Sequence, residues 1–149
     1  MVEDRIKVVP LESVEPVLLG QGSWSRLLLT AGTVEAQASC LGYSVFVPGT
    51  NTPQKVHEAE ELCYVLSGRG QLTVGSEVVE YAAGQALYIP PGVPHGVSNP
   101  YAADLVMVTA RALDVAVKCA AATFAVGGAR VPTPPAASAP SCSAVPLWL

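Results

Sequence analysis

Charge is scarce in this sequence. Only 13% of the 149 residues are Asp, Glu, Lys or Arg, and the eight basic residues are scattered, with a net charge of −4. A nucleic-acid surface needs a basic stripe, and none is present. Aromatics make up 6%, so no row of stacking platforms stands in for one. Long uninterrupted apolar runs are also missing. Asp104, Arg111, Asp114, Lys118 and the prolines cut every candidate, so no segment reads as a membrane span. The first twenty residues carry Glu3, Asp4, Glu12 and Glu15, which is wrong for a secretory or mitochondrial leader. The four cysteines, Cys40, Cys63, Cys119 and Cys142, form no CxxC pair and no disulfide framework. Together these absences point to a reduced, cytoplasmic, soluble protein that binds neither nucleic acid nor membrane.

Half of the residues are apolar, and the 13 glycines and 13 prolines punctuate the chain at short intervals. The length suits one domain with a fringe. Strand signals recur at Trp24 to Leu29, Gly42 to Pro48, Glu61 to Leu66, Gln71 to Val74, Glu77 to Tyr81, Ala86 to Ile89, His95 to Ser98 and Asp104 to Thr109. Gly75-Ser76 offers the glycine-first turn of a type II′ hairpin. Short strands with turns every 8–12 residues predict an all-β sandwich or barrel. The predicted barrel spans residues 1–112, with an irregular N-terminal lead-in. Residues 113–149 form an extension. The Ala- and Val-rich segment Arg111 to Gly128, which straddles that boundary, reads as a helix, a last strand or a dimer-contact segment. The Pro- and Ala-rich remainder of the extension reads as a flexible tail with an apolar tip of Val145, Leu147, Trp148 and Leu149.

The chain has two histidines, His57 and His95, and Glu61 lies four residues after the first. If Lys55 to Leu66 is extended, Lys55, His57 and Glu61 share one face. His95 follows the Pro90-Pro91-Gly92-Val93-Pro94 loop, which returns it toward that face. Two imidazoles and one carboxylate make a three-donor set that leaves positions open, as in non-haem Fe(II) sites; Mn, Ni, Co or Zn also suit it. The plain alternative is a pair of satisfied polar core histidines with a solvated glutamate.

Residues Gly49 to Gly70 (GTNTPQKVHEAEELCYVLSGRG) resemble the first motif of the cupin superfamily, G-x5-HxH-x3,4-E-x6-G. Residues Gly84 to Asn99 (GQALYIPPGVPHGVSN) resemble the second, G-x5-PxG-x2-H-x3-N, at Gly84, Pro90, Gly92, His95 and Asn99. The resemblance covers roughly residues 40–110. It implies a single double-stranded β-helix, or jelly-roll, barrel with one divalent metal ion, Fe(II) favoured, on His57, Glu61 and His95. It also implies a small-molecule substrate and a homodimer, paired through an edge strand or an exchanged N-terminal strand. One departure is clear: Lys55 stands where the first motif histidine would be. The reduced set resembles that of cupin-fold mononuclear iron enzymes with two histidines and a carboxylate. The first expectation is therefore an oxygenase or other oxidoreductase. Redox-neutral isomerase, lyase or cyclase chemistry and a non-enzymatic small-ligand or sugar-binding module are the alternatives.

In such a site Lys55 moves a proton or holds an anionic substrate, unless the strand starts only at His57 and the lysine reaches water. Glu61 is read as both ligand and catalytic group. Gln54, Cys63, Tyr43, Tyr88 and Arg26 are pocket candidates, each with an ordinary packing or solvent role as the alternative. Glu60 is expected to face outward, and Tyr64 to serve core packing or the pocket.

Overall fold

Alternation organises the structure. The computed structural model describes residues 5–112. Along its last strand, Leu105–Ala112, buried and half-buried residues alternate without exception, as a strand with one face on a core requires. Nine strands are present among the described residues: β1 (Val17–Gly20), β2 (Ser23–Leu29), β3 (Ser39–Phe46), β4 (Glu61–Ser67), β5 (Arg69–Val74), β6 (Glu77–Ala82), β7 (Ala86–Ile89), β8 (Gly96–Ser98) and β9 (Leu105–Ala112). They form a six-stranded sheet in the order β1-β2-β3-β9-β4-β7 and a three-stranded sheet in the order β6-β5-β8. Phe46, Val65, Leu105 and Met107 from the larger sheet meet Leu72, Tyr81 and Val97 from the smaller one in a single core. This is the all-β architecture expected from the strand rhythm, and the jelly-roll that the motif resemblance implies.

The eight expected strands are all present, with ends moved by at most three residues. Gly75 has φ +61° and Ser76 does not share the left-handed region, so the β5–β6 turn has the expected type II′ character. β1 had no counterpart in the expectations. It is four residues long and joins β2 through Gly20, Gln21 and Gly22, which all have positive φ. α1 (Ala31–Val34) was also unforeseen; it is one turn long, closed by a capping box between Thr30 and Thr33. The expected continuous strand from Lys55 to Leu66 is broken. Only Lys55 bridges to His95, the chain bends at Glu58 and Ala59, and β4 begins at Glu61.

Two glycines, Gly68 of the first motif and Gly96 beside His95, have steric causes. Gly68 has φ +80°, and a Cβ there would collide with the Asp104 carbonyl oxygen. At Gly96 a Cβ would lie 2.8 Å from the Thr52 carbonyl oxygen, so β8 can approach the 50–55 segment only without a side chain. Asn99 is fully buried, donates to the Phe46 and Ala103 carbonyls and accepts from the Tyr101 backbone, which fixes the turn after β8. No helix among the described residues is long and apolar enough to cross a membrane. The readings for residues 113–149 lie outside the described residues.

Candidate metal centre

His57 and His95 reach one point from different segments because two backbone ladders hold their loops together. Lys55 and His95 exchange both N–H···O bonds, at 2.8 and 3.0 Å. The Gly92 N–H donates to the His57 carbonyl at 2.8 Å, from a glycine at φ +75° that lets the Pro90-Pro91-Gly92 loop turn. Glu61 is the first residue of β4 and points inward with Cys63 and Val65. The three side chains are buried, and their ligand atoms all lie within 4.8 Å of one another. Glu61 Oε2 is 3.6 Å from both His57 Nε2 and His95 Nε2.

These residues fit a divalent ion on an observation independent of any motif. Glu61 Oε2 is buried and has no hydrogen-bond partner among the described residues. A buried carboxylate oxygen in that condition is costly unless a cation completes it. Partner chemistry fixes the His95 tautomer: Nδ1 lies 2.8 Å from the Val93 carbonyl and must donate to it, so the Nε2 lone pair faces Glu61. Burial opposes the charged form of His95, but Glu61 and the Val93 carbonyl outweigh it and raise the pKa.

His57 differs. Its Nδ1 lies 2.6 Å from an Arg111 guanidinium nitrogen, which can only donate. Neutral His57 in this arrangement therefore carries its proton on Nε2, toward Glu61. Arg111 is buried at the end of β9, directly opposite Glu61 on β4. From sequence, Arg111 opens an Ala- and Val-rich segment of open structure and has no expected place in the site. The signal was available, since Arg111 shares parity with Leu105, Met107 and Thr109 and needs only two more residues of strand.

The other candidates separate cleanly. Cys63 lines the small cavity beside Glu61 and His95, and Thr109 donates to its sulfur at 3.5 Å. Burial, then the neighbouring Glu61 charge, pushes its thiol up to about 12, so it stays protonated at neutral pH. Lys55 is half-buried and directly opposite His95, which puts the two on the same face of the bridge. Four pocket candidates lie elsewhere. Gln54 is exposed and clamps the β5–β6 turn, donating to the Gly75 carbonyl and accepting from its N–H. Arg26 donates to the Leu11 carbonyl and lies over Trp24, because Ser23 and Ser25 take the inward parity of β2. Tyr43 packs against Trp24 on the outer face, since its neighbours Gly42 and Ser44 point in. Tyr88 is 60% exposed and lines an open groove between β6 and β7, away from the metal ligands; its hydroxyl donates a hydrogen bond to the Glu60 carboxylate, which raises its pKa. Tyr64 also faces outward, since the inward parity of β4 belongs to Glu61, Cys63 and Val65.

The cavity at the centre is small. About 20 Å³ is bounded by Thr52, Glu61, Cys63, His95, Thr109 and apolar neighbours, enough for one water-sized group but not for an organic substrate.

Comparison with known proteins agrees with this architecture. The family described as a cupin domain matches residues 42–111. A Methanocaldococcus jannaschii protein, MJ1618, is 30% identical over 100 residues, 66% of this chain and 80% of its own length. Polyketide synthase CurC of Streptomyces cyaneus is 32% identical over 96 residues, 64% of this chain and 62% of that protein. Among solved structures, the polyketide cyclase RemF from Streptomyces resistomycificus superposes with a TM-score of 0.66 at 23% identity, covering 73% of this chain and 80% of RemF.

Proposed function

The chain belongs to the cupin superfamily, and on that footing we propose that it is a metal-dependent enzyme for a small organic substrate, with His57, Glu61 and His95 as the ligands of one divalent ion. The observation that carries this reading is the buried Glu61 Oε2, which lies between two imidazoles with no hydrogen bond of its own. A bound divalent ion would supply a Lewis acid for a substrate oxygen or, as iron, electron transfer to O₂. The likeness to CurC favours redox-neutral carbonyl chemistry, such as cyclisation, as the first reading. Fe(II)-dependent oxygenation is the second, supported by the two-histidine, one-carboxylate donor set.

The chain's own groups have definite parts in either reaction. Cys63 is not the nucleophile, because its thiol stays protonated in the working range. Lys55 shares a face with His95 and is the group that moves a proton or holds an anionic substrate oxygen. Arg111 places a permanent positive charge inside the barrel, against His57. A reducing cytoplasmic setting is part of the proposal, in keeping with four cysteines that form no CxxC pair. A homodimer is part of the proposal, formed through the outward face of β4 and β7, where Leu62, Tyr64, Leu66 and Tyr88 are each about half exposed.

Anaerobic titration of metal-free protein with Fe(II), Mn(II), Ni(II) and Zn(II) tests the site. One ion should bind per chain, and His57→Ala, Glu61→Ala and His95→Ala should each abolish it. Turnover with Zn(II) in the absence of O₂ would establish redox-neutral chemistry, and turnover restricted to Fe(II) with O₂ consumption would establish oxygenation. Equal weak binding by wild type and all three variants would leave a cupin-shaped binding module without a metal.

A further inference from the structure

The two sheets part along one side. Between β6 and β7, the edge strands of the two sheets, an open groove of about 620 Å³ runs into the sandwich. Val79 on β6, Val74 on β5 and Leu87 on β7, all of inward parity, line it together with Glu80 and Tyr88 of the outward parity. Residues of inward parity elsewhere in the barrel are core, yet Val79 is 49% exposed and Val74 and Leu87 are only partly covered. Among the described residues nothing fills the interior along this seam, and its volume falls in the range of small-molecule sites.

Two observations say what would fill it. Leu72 and Ile89 line both the groove and the small cavity against Glu61 and His95, so two side chains separate the seam from the metal centre. Tyr81 also lines the groove; it is 5% exposed, and its buried hydroxyl has no hydrogen-bond partner among the described residues. A buried hydroxyl calls for a polar partner, and the surrounding walls call for an apolar body.

We propose that this seam is a substrate-binding site for an apolar compound carrying a hydrogen-bonding oxygen, such as a ketone, with its body against Val79 and Leu87 and its oxygen hydrogen-bonded by Tyr81. The assignment deepens the enzymatic reading above and rests on it for the word substrate. It explains how a centre with room for one water-sized group serves an organic molecule: the reacting end enters past Leu72 and Ile89 while the body stays in the seam.

The test uses the full chain and prodan, a naphthyl ketone whose fluorescence shifts to the blue in apolar surroundings. Prodan should bind saturably with one site per chain. Val79→Trp and Leu87→Trp, which fill the seam from opposite walls, should each weaken binding at least about tenfold, equivalent to roughly 1.4 kcal/mol. Tyr81→Phe should weaken it about fivefold, as loss of one neutral hydrogen bond does. His57→Ala and His95→Ala should bind prodan as wild type does, so a failed metal site and a failed seam are told apart. Tyr64→Ser on the outer face should change nothing. Absence of saturable binding, as when a segment of the chain or a second copy covers the seam, would overturn the proposal. So would wild-type affinity in both tryptophan variants, or loss of binding in Tyr64→Ser, which would place the dye on the outer face.

Discussion

Arg111 donates to His57 Nδ1 at 2.6 Å, from the β9 position directly opposite Glu61. A histidine that ligates through Nε2 ordinarily gives its Nδ1 proton to a carbonyl or carboxylate, as His95 does to Val93. His57 instead meets a group that cannot accept a proton. For His57 to offer the Nε2 lone pair as a neutral ligand, Nδ1 must regain its proton and the guanidinium must move aside. Arg111 and a metal ion therefore compete for one imidazole, and the dication also repels the guanidinium. Lys55 adds a second positive charge on the face of His95. The one departure from the full cupin ligand set, Lys55, thus puts a cation where a ligand would stand, and Arg111 adds another.

Replacing Arg111 should accordingly strengthen metal binding. Arg111→Gln removes the charge and gives Nδ1–H a carbonyl acceptor. Its expected effect is a roughly tenfold or greater gain in Zn(II) affinity, the scale on which outer partners of ligating histidines act. Competition against a chromophoric chelator measures it. An unchanged or weaker affinity would show that Arg111 does not oppose the ion.

Much of the centre was legible because its constraints are local. His57, Glu61 and His95 follow from residue type and spacing, and Gly68, Gly96 and Asn99 sit where collisions or unpaired backbone groups demand them. What escaped was set by parity over strands whose ends are not encoded locally. Arg26 and Tyr43 lie one residue out of phase with the interior, and a single residue of phase turns a pocket wall into an outer face. Arg111 escaped for the same reason in reverse, because β9 runs on through Ala112 after the apolar pattern changes. The bend at Glu58 and Ala59 puts His57 on a loop, so its inward direction comes from the Gly92 hydrogen bond and not from strand alternation.

Cys63 should resist alkylation. With its thiol pushed up to about 12, iodoacetamide should leave it unmodified at pH 8–9 in the folded protein and label it in urea, as read by peptide mass mapping. The stability consequence has a definite sign. A folded pKa above the ordinary value of 9.0 favours the native state below pH 9, and that contribution is lost as pH rises from 9 toward 12. Urea midpoints should fall across this window, and Cys63→Ala should flatten the fall.

The outward face of β4 and β7 should govern assembly. Leu62 pairs with Tyr88 across the two strands, giving neighbouring apolar side chains on the exposed side. Light scattering should give wild type twice the 15.4 kDa of one chain. Leu62→Glu with Tyr64→Glu should give a monomer, because it puts two carboxylates into an apolar contact. A monomeric wild type would remove the dimer from the proposal.

Metal should stabilise the fold through Glu61 in particular. An ion that binds only the native state adds about 2.7 kcal/mol at a hundredfold excess over Kd, worth roughly 10 °C in Tm for a domain of this size. Glu61→Gln keeps the shape but removes the charge and leaves a weak neutral donor, so its Tm should not respond to added Zn(II) or Fe(II). In metal-free protein the same substitution should be neutral or stabilising, because it replaces a buried carboxylate oxygen that has no hydrogen bond. Calorimetry of both proteins with and without the ion gives all four values. A variant less stable than wild type without metal, yet equally shifted by it, would show that Glu61 holds the fold and not the ion.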